Sequence, residues 1–142
     1  MIKKILVAFD GSEKSYQAFD HALNLSRFSP PGSHVEITVL AVAQPPEPID
    51  IVEMDAVIET ITKHYEELFN GLVEKAGKEG VPIKTEVVVG HPADQIIRYA
   101  QENGADMIVM GHRGRSKIAG WLLGSVSKRV SSYSPCTVTI VK

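Results

Sequence analysis

One cysteine, Cys136, stands in a chain of 142 residues. A lone cysteine permits no intrachain disulfide and no cysteine-built zinc site, which fits a reducing compartment. Its setting, Pro135-Cys136-Thr137-Val138, reads as the start of a buried strand, so packing is the role assigned to it. Long apolar runs are missing too. The first, after Met1-Ile2-Lys3-Lys4, ends at Asp10 and is too short for a signal core or a membrane span; no later run approaches span length. The expectation is a soluble, cytoplasmic protein with no membrane partner. Excess charge is small: the net value is −2, so no global basic field draws the chain to nucleic acid or anionic lipid. Any anion site must be local.

What is present suits a globular protein. Hydrophobic residues make up 44% and charged residues 23%. A chain of this length buries roughly 68% of its unfolded surface, enough for its own core. Residues 1–142 are expected to form a single domain.

Five short apolar runs recur: Ile5 to Phe9, Val35 to Val42, Ile83 to Val89, Met107 to Met110 and Cys136 to Val141. Three are nearly continuous, as strands of a parallel sheet covered on both faces should be, whereas Ile83-Lys84-Thr85-Glu86-Val87 alternates and suits an edge. Four helical segments lie between or after them. The first starts at Ser12 or Glu13 and turns Ala18, Ala22 and Leu25 inward. In the second, Ile51, Met54, Ile58, Ile61, Tyr65, Leu68, Leu72 and Ala76 form one apolar stripe. The third opens at His91-Pro92 and stops at Asn103-Gly104. The fourth follows Gly124-Ser125. Alternating strands and helices predict an open parallel α/β sheet with right-handed crossovers.

In such sheets ligands bind beyond the carboxyl ends of the strands, where strand order reverses. Asp10-Gly11-Ser12 follows the first strand. Gly111-His112-Arg113-Gly114-Arg115-Ser116-Lys117 follows the fourth and leads to Gly124-Ser125. Glycines at 111, 114 and 124 would let the backbone approach a ligand and adopt positive φ. Ser125, at a helix start, would offer free N–H groups and a favourable dipole to an anion. His112, Arg113, Arg115 and Lys117 concentrate positive charge nearby. These are the parts of a polyphosphate cradle, although glycines at strand ends are also ordinary punctuation. No Walker A loop is present, since Gly71 to Gly77-Lys78 has one residue too many and falls within a helix; no Gly-x-Gly-x-x-Gly follows the first strand.

The spacing Gly111-x2-Gly114-x9-Gly124-Ser125 resembles the ATP-binding motif of the universal stress protein family. Val7-Ala8-Phe9-Asp10-Gly11-Ser12-Glu13 is similar to that family's first strand and turn, and Asp106 to Gly111 to its fourth strand. Ser134-Pro135-Cys136-Thr137-Val138 is similar to its closing strand, so the likeness covers the whole chain. The resemblance implies an open five-stranded parallel sheet of order 3-2-1-4-5 with helices on both faces, Rossmann-like and similar to the adenine nucleotide alpha hydrolases. It also implies a cofactor, ATP (or ADP or AMP), with Mg²⁺ or Mn²⁺ bridging the phosphates. By position, Asp10 would accept a hydrogen bond from a ribose hydroxyl, the alternative being a turn-forming Asp before Gly. Ala8 and Phe9 would flank the adenine, and Val42 would meet it through its backbone. Met110 falls in the same set, and Gly111, Gly114, Gly124, Ser125 and Val126 would hold the phosphates with Arg113 near them. Phe9 departs from the small residue expected beside the turn.

Hydrolysis needs a positioned base or nucleophile, and none stands out. His91 reads as a helix cap; His21, His34 and His64 read as surface or helix positions; His112 could approach a phosphate. The expected function is a nucleotide-dependent switch in stress response with at most slow ATP hydrolysis. The alternative is a nucleotide-free dimeric scaffold acting through protein contacts. Ser-Gly-Gly and His-x-Gly-His motifs of related nucleotide enzymes are missing, as is the acidic constellation of a phosphorylated receiver. The apolar last strand, Thr137 to Val141, invites edge pairing, and the family resemblance implies a homodimer through it.

Overall fold

The computed structural model describes residues 2–47, 49–112 and 124–142. Its strands are β1 (Lys4–Ala8), β2 (Glu36–Ala43), β3 (Ile83–Val89), β4 (Met107–Gly111) and β5 (Thr137–Val141). Its helices are α1 (Glu13–Ser26), α2 (Ile51–Lys78), α3 (Pro92–Glu102) and α4 (Ser125–Tyr133). The strands pair in parallel in the order β3-β2-β1-β4-β5. Fold class and order are those expected; strand ends differ by one residue in several places, since pairing and apolar character do not stop at the same residue.

Alternation along β1 assigns the two layers. Ile5, Val7 and Phe9 pack with Phe19, Leu23, Tyr65, Phe69 and Leu72 from α1 and α2. Leu6 and Ala8 pack on the other face with Ala93, Ile96, Ala100 and Val130 from α3 and α4. β1 and β4 are buried between those layers, as strands with helices on both faces must be. The alternating β3 is an edge strand, with Tyr99 of α3 donating a 2.6 Å hydrogen bond to Glu86 upon it. β5 forms the other edge and is partly exposed. Cys136 precedes β5 and is only partly buried, because the strand it was expected to open is an edge.

The helix signals sit where the sequence puts them. Ser12 caps α1 by accepting from Ser15 N–H, and Pro92 opens α3, which ends before Gly104 at φ +64°. The stripe on α2 behaves differently from expectation. Its buried residues, Tyr65, Phe69, Leu72 and Ala76, all fall in the C-terminal half, while Ile51 is 82% exposed. A helix of 28 residues spans ~42 Å, whereas strands of five to eight residues run only ~17–26 Å. The helix therefore overshoots the sheet.

At the opposite, N-terminal end of the sheet, Lys3 and Lys4 N–H groups donate to Asp106 Oδ2 at 2.8 and 2.9 Å and fasten the start of β1 to β4. Those two donors hold the Asp106 carboxyl below its ordinary value. Its stabilising contribution is thus present above about pH 4 and is lost as pH falls through the depressed folded value. Urea unfolding of wild type and Asp106→Asn should show the variant less stable at neutral pH, with the gap closing as the solution is acidified.

Candidate functional site

The helices on the two faces diverge above β1 and β4, because β1 connects towards β2 and β4 towards β5. That divergence leaves a cleft at the carboxyl ends of the strands. Its volume is about 580 Å³, within the range of roughly 300–1,000 Å³ usual for small-molecule sites.

Ala8, Leu40, Val42, Met110 and Ile96 make an apolar wall on the α3–α4 side. Beside it the chain leaves β1 through a tight turn. Gly11 stands at φ +82°, in the left-handed region that favours glycine, and Asp10 Oδ1 accepts from Ser12 N–H at 2.9 Å. Asp10 lines the cleft, and its other carboxylate oxygen has no hydrogen bond among the described residues. Both expectations for Asp10, turn former and pocket residue, thus coexist, one oxygen serving the turn.

The polar side of the cleft is built from the junction of β4, β5 and α4. His112 N–H donates to Val141 O at 2.7 Å, extending the sheet by a residue. Its carbonyl then accepts from Gly124 N–H at 3.1 Å and from Ser127 Oγ at 2.9 Å. These bonds join His112 to the start of α4. Gly124 is the N-cap residue, no side chain caps the first turn, and Gly124, Ser125, Val126 and Ser127 all line the cleft. First-turn N–H groups have no intrahelical acceptor, so they offer donors and positive potential to an anion.

Two expectations about glycine are corrected here. Neither Gly111 nor Gly124 is among the positive-φ glycines, and Gly124 has φ −59°. Gly111 is small for another reason: a Cβ there would lie 2.7 Å from Lys14 Cβ and 3.0 Å from its carbonyl carbon. The end of β4 rests directly on the first turn of α1. Phe9 lines the cleft from the layer opposite Ala8. It is buried in the α1–α2 layer, edge-on to Tyr16 at 5.0 Å and beside Phe69 at 6.0 Å, so it forms the floor of the cleft.

The structure brings Ala8, Phe9, Asp10, Val42, Met110, Gly111, Gly124, Ser125 and Val126 together around this one cleft. Arg113 and Gly114, with Arg115 and Lys117, lie outside the described residues. Asp10 is the one carboxylate, and there is no lysine or arginine, among the described lining residues. His112 is buried and is not one of those residues, since its backbone is locked at the strand–helix junction. His91 occupies the N-cap position of α3 but makes no side-chain cap; its Nδ1 lies 3.9 Å from Asp94 instead. Sequence reasoning missed the third wall, Thr60, Ile61, His64 and Tyr65 of α2. His64, read as an ordinary helix position, faces the cleft because α2 overshoots the sheet. Among the described residues no group of three His, Cys, Asp or Glu could hold a metal, and no helix is long and apolar enough to cross a membrane.

With this geometry in place, the chain can be set beside known proteins. The profile of the universal stress protein family matches residues 1–142. The chain is 34% identical over 152 residues to universal stress protein YxiE of Bacillus subtilis, covering 100% of each. It superposes on universal stress protein UspA from Lactobacillus plantarum with a TM-score of 0.88 at 22% identity, over 99% of this chain and 98% of that one, a likeness of fold. A universal stress protein solved in complex with cAMP is 27% identical, with a TM-score of 0.69 over 99% and 97% of the two chains.

The contact beneath Gly111 gives a stability test with an internal control. Gly111→Ala forces β4 and α1 apart and should cost about 1–3 kcal/mol in denaturant unfolding. Gly71→Ala, in α2 with nothing within 4 Å of the added methyl, should instead gain about 0.5–1 kcal/mol.

Proposed function

The chain belongs to the universal stress protein family, and on that premise we propose that it binds an adenine nucleotide in the cleft above β1 and β4. The observation that carries this reading is the uncapped first turn of α4 opening into a cleft that also has an apolar wall. A ligand with an anionic end and a flat, weakly polar end fits both surfaces. The relative in complex with cAMP, at 27% identity, supports an adenine nucleotide as that ligand.

In this reading Ala8, Leu40, Val42, Met110 and Ile96 flank the base above Phe9, and the unengaged oxygen of Asp10 accepts from a ribose hydroxyl. Backbone N–H groups of Ser125 and Val126 receive the phosphates. The expectation that Arg113 and Gly114 complete the cradle rests on the sequence motif. ATP is the proposed ligand, with ADP and AMP as products or substitutes, and Mg²⁺ or Mn²⁺ would be held mainly by phosphate oxygens and water. We read the protein as a nucleotide-dependent switch in stress response, turning ATP over slowly at most, within the cytoplasm. The Asp10 turn bond and the buried position of His112 favour binding over chemistry. A homodimer through the exposed edge of β5 completes the proposal.

Two measurements test it. Calorimetric titration of nucleotide-stripped protein with ATP and Mg²⁺ should show saturable binding, weakened at least about tenfold by Ser125→Asp. The added carboxylate repels phosphate yet suits the helix start by about 0.3–1 kcal/mol, so the melting temperature should hold or rise. No heat from ATP, ADP or AMP would favour the nucleotide-free scaffold. Light scattering at micromolar concentration should give a dimer, and a monomer would remove the β5 interface from the proposal.

A further inference from the structure

The apolar stripe of α2 continues past the point where the sheet ends. Tyr65, Phe69, Leu72 and Ala76 are its buried part, and Ile61, Ile58, Met54 and Ile51 continue it at the same helical spacing towards the N-terminus. None of these four is buried, and Ile51 and Val52 are 82% and 84% exposed. Ile61 touches the cleft, but the three preceding residues of the stripe do not line it. One copy covers Met54 and Ile58 only in part and leaves Ile51 open.

The charge around the stripe identifies what could cover it. From Gln44 to Thr62 the sequence carries Glu47, Asp50, Glu53, Asp55 and Glu59 and no lysine or arginine, in a chain whose net charge is only −2. All five carboxylates are exposed. Asp50 Oδ1 caps α2 by accepting from Val52 N–H, and Glu59 pairs with Lys63 at 3.0 Å. Glu47, Glu53 and Asp55 have no ion-pair partner among the described residues. Asp55 and Glu59, four residues apart, run along one border of the stripe. A second copy meeting this face across a two-fold axis would bring these carboxylates against their own equivalents, and an anionic lipid surface or a nucleic acid would be repelled.

We propose that the overhanging half of α2 is a docking face for a basic amphipathic helix of a partner protein. Its leucine-type residues would lie along Ile51, Met54 and Ile58, with lysine or arginine reaching Asp55 and its acidic neighbours. The stripe presents about 15 Å of helix from Ile51 to Ile61, room for anchors at i, i+3 and i+7. The face stands on burial and charge alone, so it holds whether or not the cleft takes a nucleotide.

The test uses full-length protein and a defined probe. A fluorescein-labelled synthetic peptide of about 18 residues, leucine at the two core positions of each heptad and lysine at the flanks, is titrated and followed by anisotropy. A peptide with glutamate in place of lysine serves as its partner in charge reversal. We expect saturable binding of the lysine peptide and at least about tenfold weaker binding of the glutamate peptide. Ile51→Lys and Asp55→Lys should each weaken the lysine peptide by about tenfold, with circular dichroism and melting temperature unchanged, since both sites are exposed. Equal affinity of wild type and both variants would put the peptide elsewhere and overturn the proposal, as would failure to saturate. Sedimentation without peptide closes the remaining route: self-association lost in Ile51→Lys would assign the stripe to a second copy and overturn the basic partner.

Discussion

The parallel pairing of β1 with β4 governs the rest of the molecule. Ile5, Leu6 and Val7 stand beside Met107, Ile108 and Val109 in register, while the connections leaving the two strands run to opposite sides. The cleft exists because of that divergence, and its depth is set by how closely the layers approach beneath it. Gly111 allows the closest approach: with no side chain, the end of β4 can lie on the Lys14 backbone at the start of α1. The turn at Asp10 and the start of α4 then face one another across a fixed distance. Asp106 secures the same strand pair at its other end through two backbone donors, so the central pairing is fastened at both extremes.

Length mismatch is the second organising fact. A sheet of short strands cannot cover a helix of 28 residues, and α2 is fixed at its C-terminal half by Tyr65, Phe69, Leu72 and Ala76. The excess projects over the carboxyl ends of the strands, where it supplies a wall of the cleft through Thr60, Ile61 and His64. One helix thus carries core, cleft wall and exposed acidic-apolar face in succession. Ile61 lies where the last two meet, which puts the proposed docking face next to the proposed nucleotide.

Much of this was legible in the residues because the signals are local. Pro92, Ser12, Gly104 and Gly124 mark helix ends through their own backbone chemistry, which no distant contact has to supply. The alternation of β3 announced an edge, and the strands of the centre announced themselves by lacking it. Other residues were read for the wrong reason. Gly111 and Gly124 were expected to serve positive φ, yet one answers to a helix packed beneath it and the other to an N-cap of ordinary φ. Phe9 was expected on the ligand's flank beside Ala8; the twofold period of β1 turns it to the opposite layer, against Tyr16 and Phe69, where it lines the cleft from that side.

The sequence by itself determined the alternating parallel architecture, the two polar glycine-bearing segments that follow β1 and β4 in the chain, and the kinship those segments carry. Each depends on a period or a spacing along the chain, which folding preserves. Tertiary structure alone decided that His64 borders the cleft, that His112 does not, and that the N-terminal end of an unbroken apolar stripe runs out of the core to an exposed Ile51. Those outcomes turn on where one element stops relative to another, and a one-dimensional pattern holds no record of that distance.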